Sequence, residues 1–126
     1  MLKRDFIIIG ISWFFNASFV LSATKSKEVT EIVVKKSKRK LYLLSGNEII
    51  KSYKVDLGFA PTGHKNFEGD GKTPEGAYKI DRKNENSKYY LSVGISYPNV
   101  KDQQFAKLKG KLPGGDIFIH GTDKPF

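Results

Sequence analysis

Between Glu31 and Leu57 apolar residues recur with a period of two, and that spacing commits the chain to strands rather than helices. Glu31-Ile32-Val33-Val34-Lys35 is rich in β-branched residues, which suit a pleated, half-buried surface. Lys36 to Arg39 is a basic turn, and Lys40-Leu41-Tyr42-Leu43-Leu44-Ser45 is a second strand. Gly46-Asn47 marks a tight hairpin turn, and Glu48 to Leu57 returns as a third strand. Alternation puts Ile49, Tyr53, Val55 and Leu57 on one face. The pattern predicts a β-meander whose aromatic residues pack in the core.

The character changes from Gly58 to Gly76. Gly58, Gly63, Gly69, Gly71 and Gly76, with Pro61 and Pro74, rule out regular structure there. A loop this long inside one domain is usually functional. Gly71-Lys72-Thr73 ends like a phosphate-binding loop, but that motif needs a glycine at position 66, which is Asn. Gly69-Asp70-Gly71 begins a dinucleotide fingerprint that Pro74 breaks. Neither motif is complete, so nucleotide binding is not expected of this loop.

Ala77-Tyr78-Lys79-Ile80 reads as a strand, followed by a charged turn from Asp81 to Lys88. Tyr89 to Tyr97 reads as another, with Leu91, Val93 and Ile95 inward and Ser92, Gly94 and Ser96 forming a shallow polar floor opposite. Val100 to Lys109 carries Phe105 and Leu108 at helical spacing, and Gly110 ends it. Pro113-Gly114-Gly115-Asp116 is then a turn into Ile117-Phe118-Ile119-His120-Gly121. Here Ile117 and Ile119 share one face, Phe118 and His120 the other. A strand that ends on His beside a residue without a side chain presents an imidazole to a cleft. His64, in the glycine-rich loop, has no partner of recognisable type and is expected to be structural.

The chain has 126 residues, enough for one domain. Met1-Leu2-Lys3-Arg4-Asp5 is short and net positive, and an apolar run from Phe6 to Phe15 follows. Asn16 and Ser18 dilute it before Val20-Leu21-Ser22-Ala23, a small-residue cleavage site. Residues 1–23 are therefore expected to be a cleaved signal peptide, with an uncleaved membrane anchor as the rival reading, and 24–30 a polar linker, which places the protein outside the cytoplasm, in the periplasm or cell envelope. Basic residues number 22 against 13 acidic ones, a formal net charge of +9. Outside the cytoplasm such a surface meets cell-wall polymers and lipid headgroups rather than nucleic acid. Lysines on strand edges also discourage sheet-to-sheet pairing. No Cys is present, which excludes disulfides, thiolate metal sites and a thiol nucleophile within these residues. Two His without Cys make a poor metal site.

The order of these segments resembles a known family. Gly71-Lys72-Thr73-Pro74-Glu75-Gly76-Ala77-Tyr78-Lys79-Ile80 is similar to the Thr-Pro-x-Gly-x-Tyr/Phe-x-Ile stretch of the L,D-transpeptidase (YkuD-type) catalytic domain, and Ile117 to Gly121 to its apolar-strand-His-Gly motif. Ile95-Ser96-Tyr97-Pro98-Asn99 and the Pro113 to Asp116 turn resemble the periplasmic murein L,D-transpeptidase-like subgroup. The resemblance runs from about Glu31 to the end.

It implies a mainly-β fold, a sandwich or barrel with one short helix. It implies work on peptidoglycan stem peptides, with a wall-linked lipoprotein as a further acceptor and no cofactor. A Cys thiolate attacks the carbonyl of the third residue of a tetrapeptide and releases the terminal D-Ala; an amine then resolves the thioester. The reverse, amidase-like cleavage belongs to the same chemistry. His120 takes the general-base role, with Gly121 keeping access open. Tyr97, Ser96, Thr73 and Gly115 fall at substrate-binding positions. The family's nucleophile comes from a downstream Ser/Thr-x-Gly-Cys segment, and this chain ends at Phe126 before one. The resemblance thus implies an incomplete, inactive catalytic domain over residues 31–126. The rival class is a non-catalytic, basic envelope module that binds peptidoglycan. Nucleic acid is not an expected partner, and membrane contact is expected only through the signal segment.

Overall fold

The computed structural model describes residues 6–10, 26–88 and 90–122. Its strands are β1 (Phe6–Gly10), β2 (Glu31–Lys35), β3 (Lys40–Ser45), β4 (Glu48–Lys54), β5 (Gly76–Ser87), β6 (Tyr90–Ile95) and β7 (Phe118–His120), with one helix, α1 (Val100–Leu108). The fold is mainly β with one short helix, as expected. The strand order is β4-β3-β2-β1-β5-β6-β7. Two antiparallel triplets, β2-β3-β4 and β5-β6-β7, are joined through β1, which runs antiparallel to β2 and parallel to β5. Phe6–Gly10 falls within the expected signal peptide and here occupies the seat between the triplets. The rest of residues 1–23, and Thr24 and Lys25 of the expected linker, lie outside the described residues.

The core draws on both triplets. Ile32, Val34 and Leu41 from one meet Tyr78, Ile95 and Tyr97 from the other, with Ile117 and Ile119 packed against them. Burial of these side chains is the main favourable term holding the two triplets together.

Three strand expectations are corrected. First, β4 stops at Lys54 and carries a bulge opposite Leu43 and Leu44, so that Leu41 faces Tyr53 but Leu44 faces Ile49. One extra residue reverses the facing of everything beyond it. Ile49 and Tyr53 therefore lie on opposite faces, and both are exposed on the sheet edge. Second, the charged stretch Asp81 to Lys88 is no turn, because β5 continues through it to Ser87. Its exposed positions ask for no apolar residues, so composition concealed the strand. Third, in β6 Leu91 is 51% exposed while Ser92 and Gly94 are buried. The polar floor is covered: a Cβ on Gly94 would lie 2.7 Å from Arg82 Nε and 3.0 Å from Phe118 Cε1. The Arg82 guanidinium in turn lies 5.2 Å from the centroid of the Phe118 ring.

The turn after β2 does more than reverse the chain. Lys36 to Lys38 forms a single 3-10 turn closed by Arg39 at φ 48°. This buries the Lys36 ammonium, which donates to the carbonyls of Gly63 (2.8 Å) and Thr73 (2.9 Å) and to Glu75 Oε1 (3.0 Å). A buried ammonium is tolerable only with such a full set of acceptors. Lys36 thereby ties the glycine-rich loop to the first triplet at Gly63 and again at Thr73 and Glu75. Lys36→Ala is expected to lower unfolding free energy by about 3 kcal/mol, the low end for breaking a buried pair because Glu75 keeps some water contact. Lys38→Ala, exposed in the same turn, should change it by less than about 0.5 kcal/mol in the same urea titration.

Candidate functional site

The glycine-rich loop folds around Asp70. Lys65 Nζ (3.0 Å) and the Lys72 N–H (3.1 Å) donate to Asp70 Oδ1, and the N–H groups of Asn66 (2.8 Å) and Phe67 (3.0 Å) donate to Oδ2. Lys65 is itself buried and also donates to the Phe67 carbonyl at 2.7 Å. Across the loop the chain touches itself so closely that a Cβ on Gly58 would come within 2.2 Å of the Gly71 carbonyl oxygen, which leaves room for glycine alone.

A second carboxylate joins the loop to the helix and the sheet. Asn99 and Asp102 cap α1 reciprocally: the Asp102 N–H donates to the Asn99 side chain and the Asn99 N–H to Asp102 Oδ2, each at 3.0 Å. Tyr78 of β5 donates its hydroxyl to Asp102 Oδ2 at 2.8 Å. His64 lies 2.9 Å from Asp102 Oδ1 through Nε2, while its Nδ1 accepts the Glu75 N–H at 2.8 Å. An acceptor role for Nδ1 leaves the proton on Nε2, so His64 donates to Asp102 as a neutral imidazole. Both ring nitrogens are used, in keeping with the structural role expected of His64. These residues and Asn66, Lys101 and Phe105 line a cavity of about 500 Å³.

Tyr97 completes the scaffold. It is 2% exposed, its ring meets Tyr78 and His64 edge-on, and its hydroxyl donates to the Pro113 carbonyl at 2.8 Å. That bond sets the turn from which β7 starts. Burial, then the negative charges of Asp102 and Asp70, push the Tyr97 hydroxyl up to about 12.

The two ends of β6 and β7 divide the residues expected to form the site. His120 pairs with Ser92 in the ladder and is exposed at the end of β7. Its Nδ1–H donates to the Gly121 carbonyl at 2.7 Å, so that in the neutral ring the lone pair lies on Nε2. Ser96 sits four residues along from Ser92, about 13 Å away by strand rise. There its Oγ accepts the Lys79 N–H at 2.9 Å and its own N–H donates to the Lys79 carbonyl at 2.8 Å, extending the sheet. Gly115 is at the same end, exposed, with Pro98 Cδ 3.9 Å from where its Cβ would lie. Thr73 is partly buried in the loop, its carbonyl engaged by Lys36. Tyr97 lies in the core rather than on an open surface. Asp102, Tyr78, Lys36 and Asp70 escaped the sequence reading; only the Asn99-x-x-Asp102 spacing ahead of the helix signalled one of them.

Asp70 makes the loop acid-sensitive. Burial works to raise its pKa, but the Phe67 and Asn66 N–H groups, the Lys65 ammonium and the Lys72 N–H together hold the carboxyl well below the usual carboxylate range. A carboxyl lowered in the folded state stabilises it above the unfolded value, and that contribution is lost as pH falls toward the folded one. Stability should therefore decline below about pH 4. Urea midpoints at pH 7 and pH 3 check this: Asp70→Asn should be less stable at pH 7 and should lose less than the parent on acidification.

A family model for the L,D-transpeptidase catalytic domain (YkuD) matches residues 29–126. Two curated relatives, each named "Putative L,D-transpeptidase YafK", come from Escherichia coli strain K12 and Escherichia coli O157:H7. Each is 33% identical over 85 residues, covering 64% of this chain and 32% of the relative. The chain thus spans about a third of the length of the curated relatives it matches. No solved structure matches. With a family match that spans all of β2 to β7, and an exposed His-Gly at the tip of the last described strand, the chain belongs to the L,D-transpeptidase (YkuD-type) family.

Proposed function

We propose that this chain handles peptidoglycan stem peptides in the cell envelope as part of an L,D-transpeptidase-type unit, with His120 as general base. The observation that carries the reading is His120 itself. It stands exposed at a strand end, its Nδ1–H held by the Gly121 carbonyl and its Nε2 carrying the lone pair that a base needs. The spacing of the sheet supports a peptide ligand. About 13 Å separates the Ser96 and Gly115 end from His120, and an extended tetrapeptide reaches about the same length. Ser96 and Gly115, with Thr73 at the loop edge, are proposed to contact the stem, and buried Tyr97 to hold the Pro113 turn beneath it.

In the reaction implied by the family, His120 Nε2 takes the proton of a Cys thiol. The sulfur bonds to the carbonyl carbon of the third residue, the bond to D-Ala breaks, and the imidazolium returns its proton to the departing amine. An acceptor amine then displaces the sulfur. The chain contains no Cys, so these 126 residues alone form no thioester. Export through residues 1–23 belongs to the same proposal; cleavage after Ala23 takes away β1 and leaves the facing edges of β2 and β5 open.

A second reading, a non-catalytic envelope module, draws on the absence of Cys and the net charge of +9. It expects binding to isolated peptidoglycan that weakens with salt and survives His120→Ala. The experiment that separates the two is a fusion of a Ser/Thr-x-Gly-Cys segment after Phe126, assayed for D-Ala release from a disaccharide-tetrapeptide. The proposal expects no release by the unmodified chain, release by the fusion, and at least about a 100-fold loss on His120→Ala. A fusion whose activity ignores His120→Ala would overturn the assignment of the base.

A further inference from the structure

The helix α1 buries Asp102 and Ala106, and among Lys101, Gln103, Gln104 and Lys107 it also shows the apolar Phe105 and Leu108 to water. Phe105 is 42% exposed and Leu108, one turn further, 84%. After Gly110 the chain turns back, and Leu112, 70% exposed, accepts the Glu68 N–H through its carbonyl at 2.9 Å. This brings Leu112 beside Phe67, whose ring stacks on Phe105 with centroids 5.9 Å apart. One continuous apolar surface results, made from the end of the helix and the facing loop.

Lysines rim it. Lys111 Nζ lies over the Phe67 ring, 4.6 Å from its centroid, and Lys109 Nζ over the Phe105 ring at 5.8 Å, so both cations border the apolar surface at cation–π distance. Lys107 is exposed on the same turn, and no ion pair to Lys107, Lys109 or Lys111 occurs among the described residues. The acidic groups nearby are Glu68, exposed, and Asp70, already engaged by Lys65.

We propose that this surface docks on an anionic lipid bilayer, with Leu108 and Leu112 entering the acyl boundary and Lys107, Lys109 and Lys111 at the headgroups. Charge complementarity selects an anionic partner. The exposed Leu pair selects lipid over a soluble polyanion, which offers nothing apolar to cover it. Exposed apolar residues rimmed by lysines suit a surface that lies against the headgroups of an anionic bilayer. The proposal is independent of the catalytic reading and of the apolar N-terminal run.

The absence of Cys makes a site-specific test direct. An environment-sensitive fluorophore is attached to the full-length chain at Leu112→Cys, and in a second protein at Ser52→Cys, on the exposed edge strand β4. Vesicles rich in phosphatidylglycerol should shift and brighten the label at 112, and spin-labelled lipid should quench it there, while the label at 52 stays in water. This comparison separates docking of the surface from insertion of the N-terminal segment, which moves neither label. Pure phosphatidylcholine should give no response, and Lys107→Glu, Lys109→Glu and Lys111→Glu together should weaken binding more than about 100-fold, at roughly fivefold per charge near the membrane. A silent label at 112, equal responses at both sites, or a response to soluble polyphosphate matching that to vesicles would each overturn the proposal.

Discussion

Asp102 is the group on which the arrangement of the other elements depends. A carboxylate buried in a protein is stable only when donors surround it. Here they come from three separate places: the start of α1 through Asn99, strand β5 through Tyr78, and the glycine-rich loop through His64. Each element is weak alone. A nine-residue helix is too short to persist by itself, and a loop full of glycine pays a large entropy on ordering. Sharing one desolvated charge makes their order mutual. Burial, followed by the bond to Asp102, also drives the Tyr78 hydroxyl far above its ordinary range, which keeps it a donor to Asp102.

From that hub the scaffold reaches the candidate site by two routes. Tyr97, packed on Tyr78 and His64, holds Pro113 and so sets where β7 begins. The β6 ladder then fixes where it ends, with Phe118 opposite Gly94 and His120 opposite Ser92. Backbone pairing thus fixes the position of His120, and the Gly121 carbonyl holds its ring through Nδ1. The loop hub and His120 stand at opposite ends of the strands.

Much of this was legible in the residues. The β-branched runs at Glu31–Lys35 and Lys40–Ser45, the Gly46-Asn47 turn, and the helix between Asn99 and Gly110 are local signals, and local signals survived. What was not legible was set by distant partners. Asp81 to Ser87 is charged because both its faces meet water, yet it is strand because β6 lies beside it. Gly94 is buried because Arg82 and Phe118 cover it, which no alternation of polarity announces. The bulge in β4 reversed Ile49 relative to Tyr53 without a glycine to mark it. At the site, the His-Gly strand tip was visible, but Tyr97 was expected to face substrate and instead lies in the core. A buried tyrosine and a binding tyrosine are the same letter, and only the Pro113 contact distinguishes them.

The central claim is that the face between Ser96 and His120 receives a stem peptide. Backbone amide NMR of the nitrogen-15-labelled chain, titrated with a soluble disaccharide-tetrapeptide, tests it most directly, because it locates the ligand without requiring the missing thiol. Shifts should concentrate at Ser96, at Gly115 and along Phe118 to Gly121, and leave β4 unmoved. A titration that perturbs none of these, or that moves only the lysine-rimmed surface of α1, would contradict it.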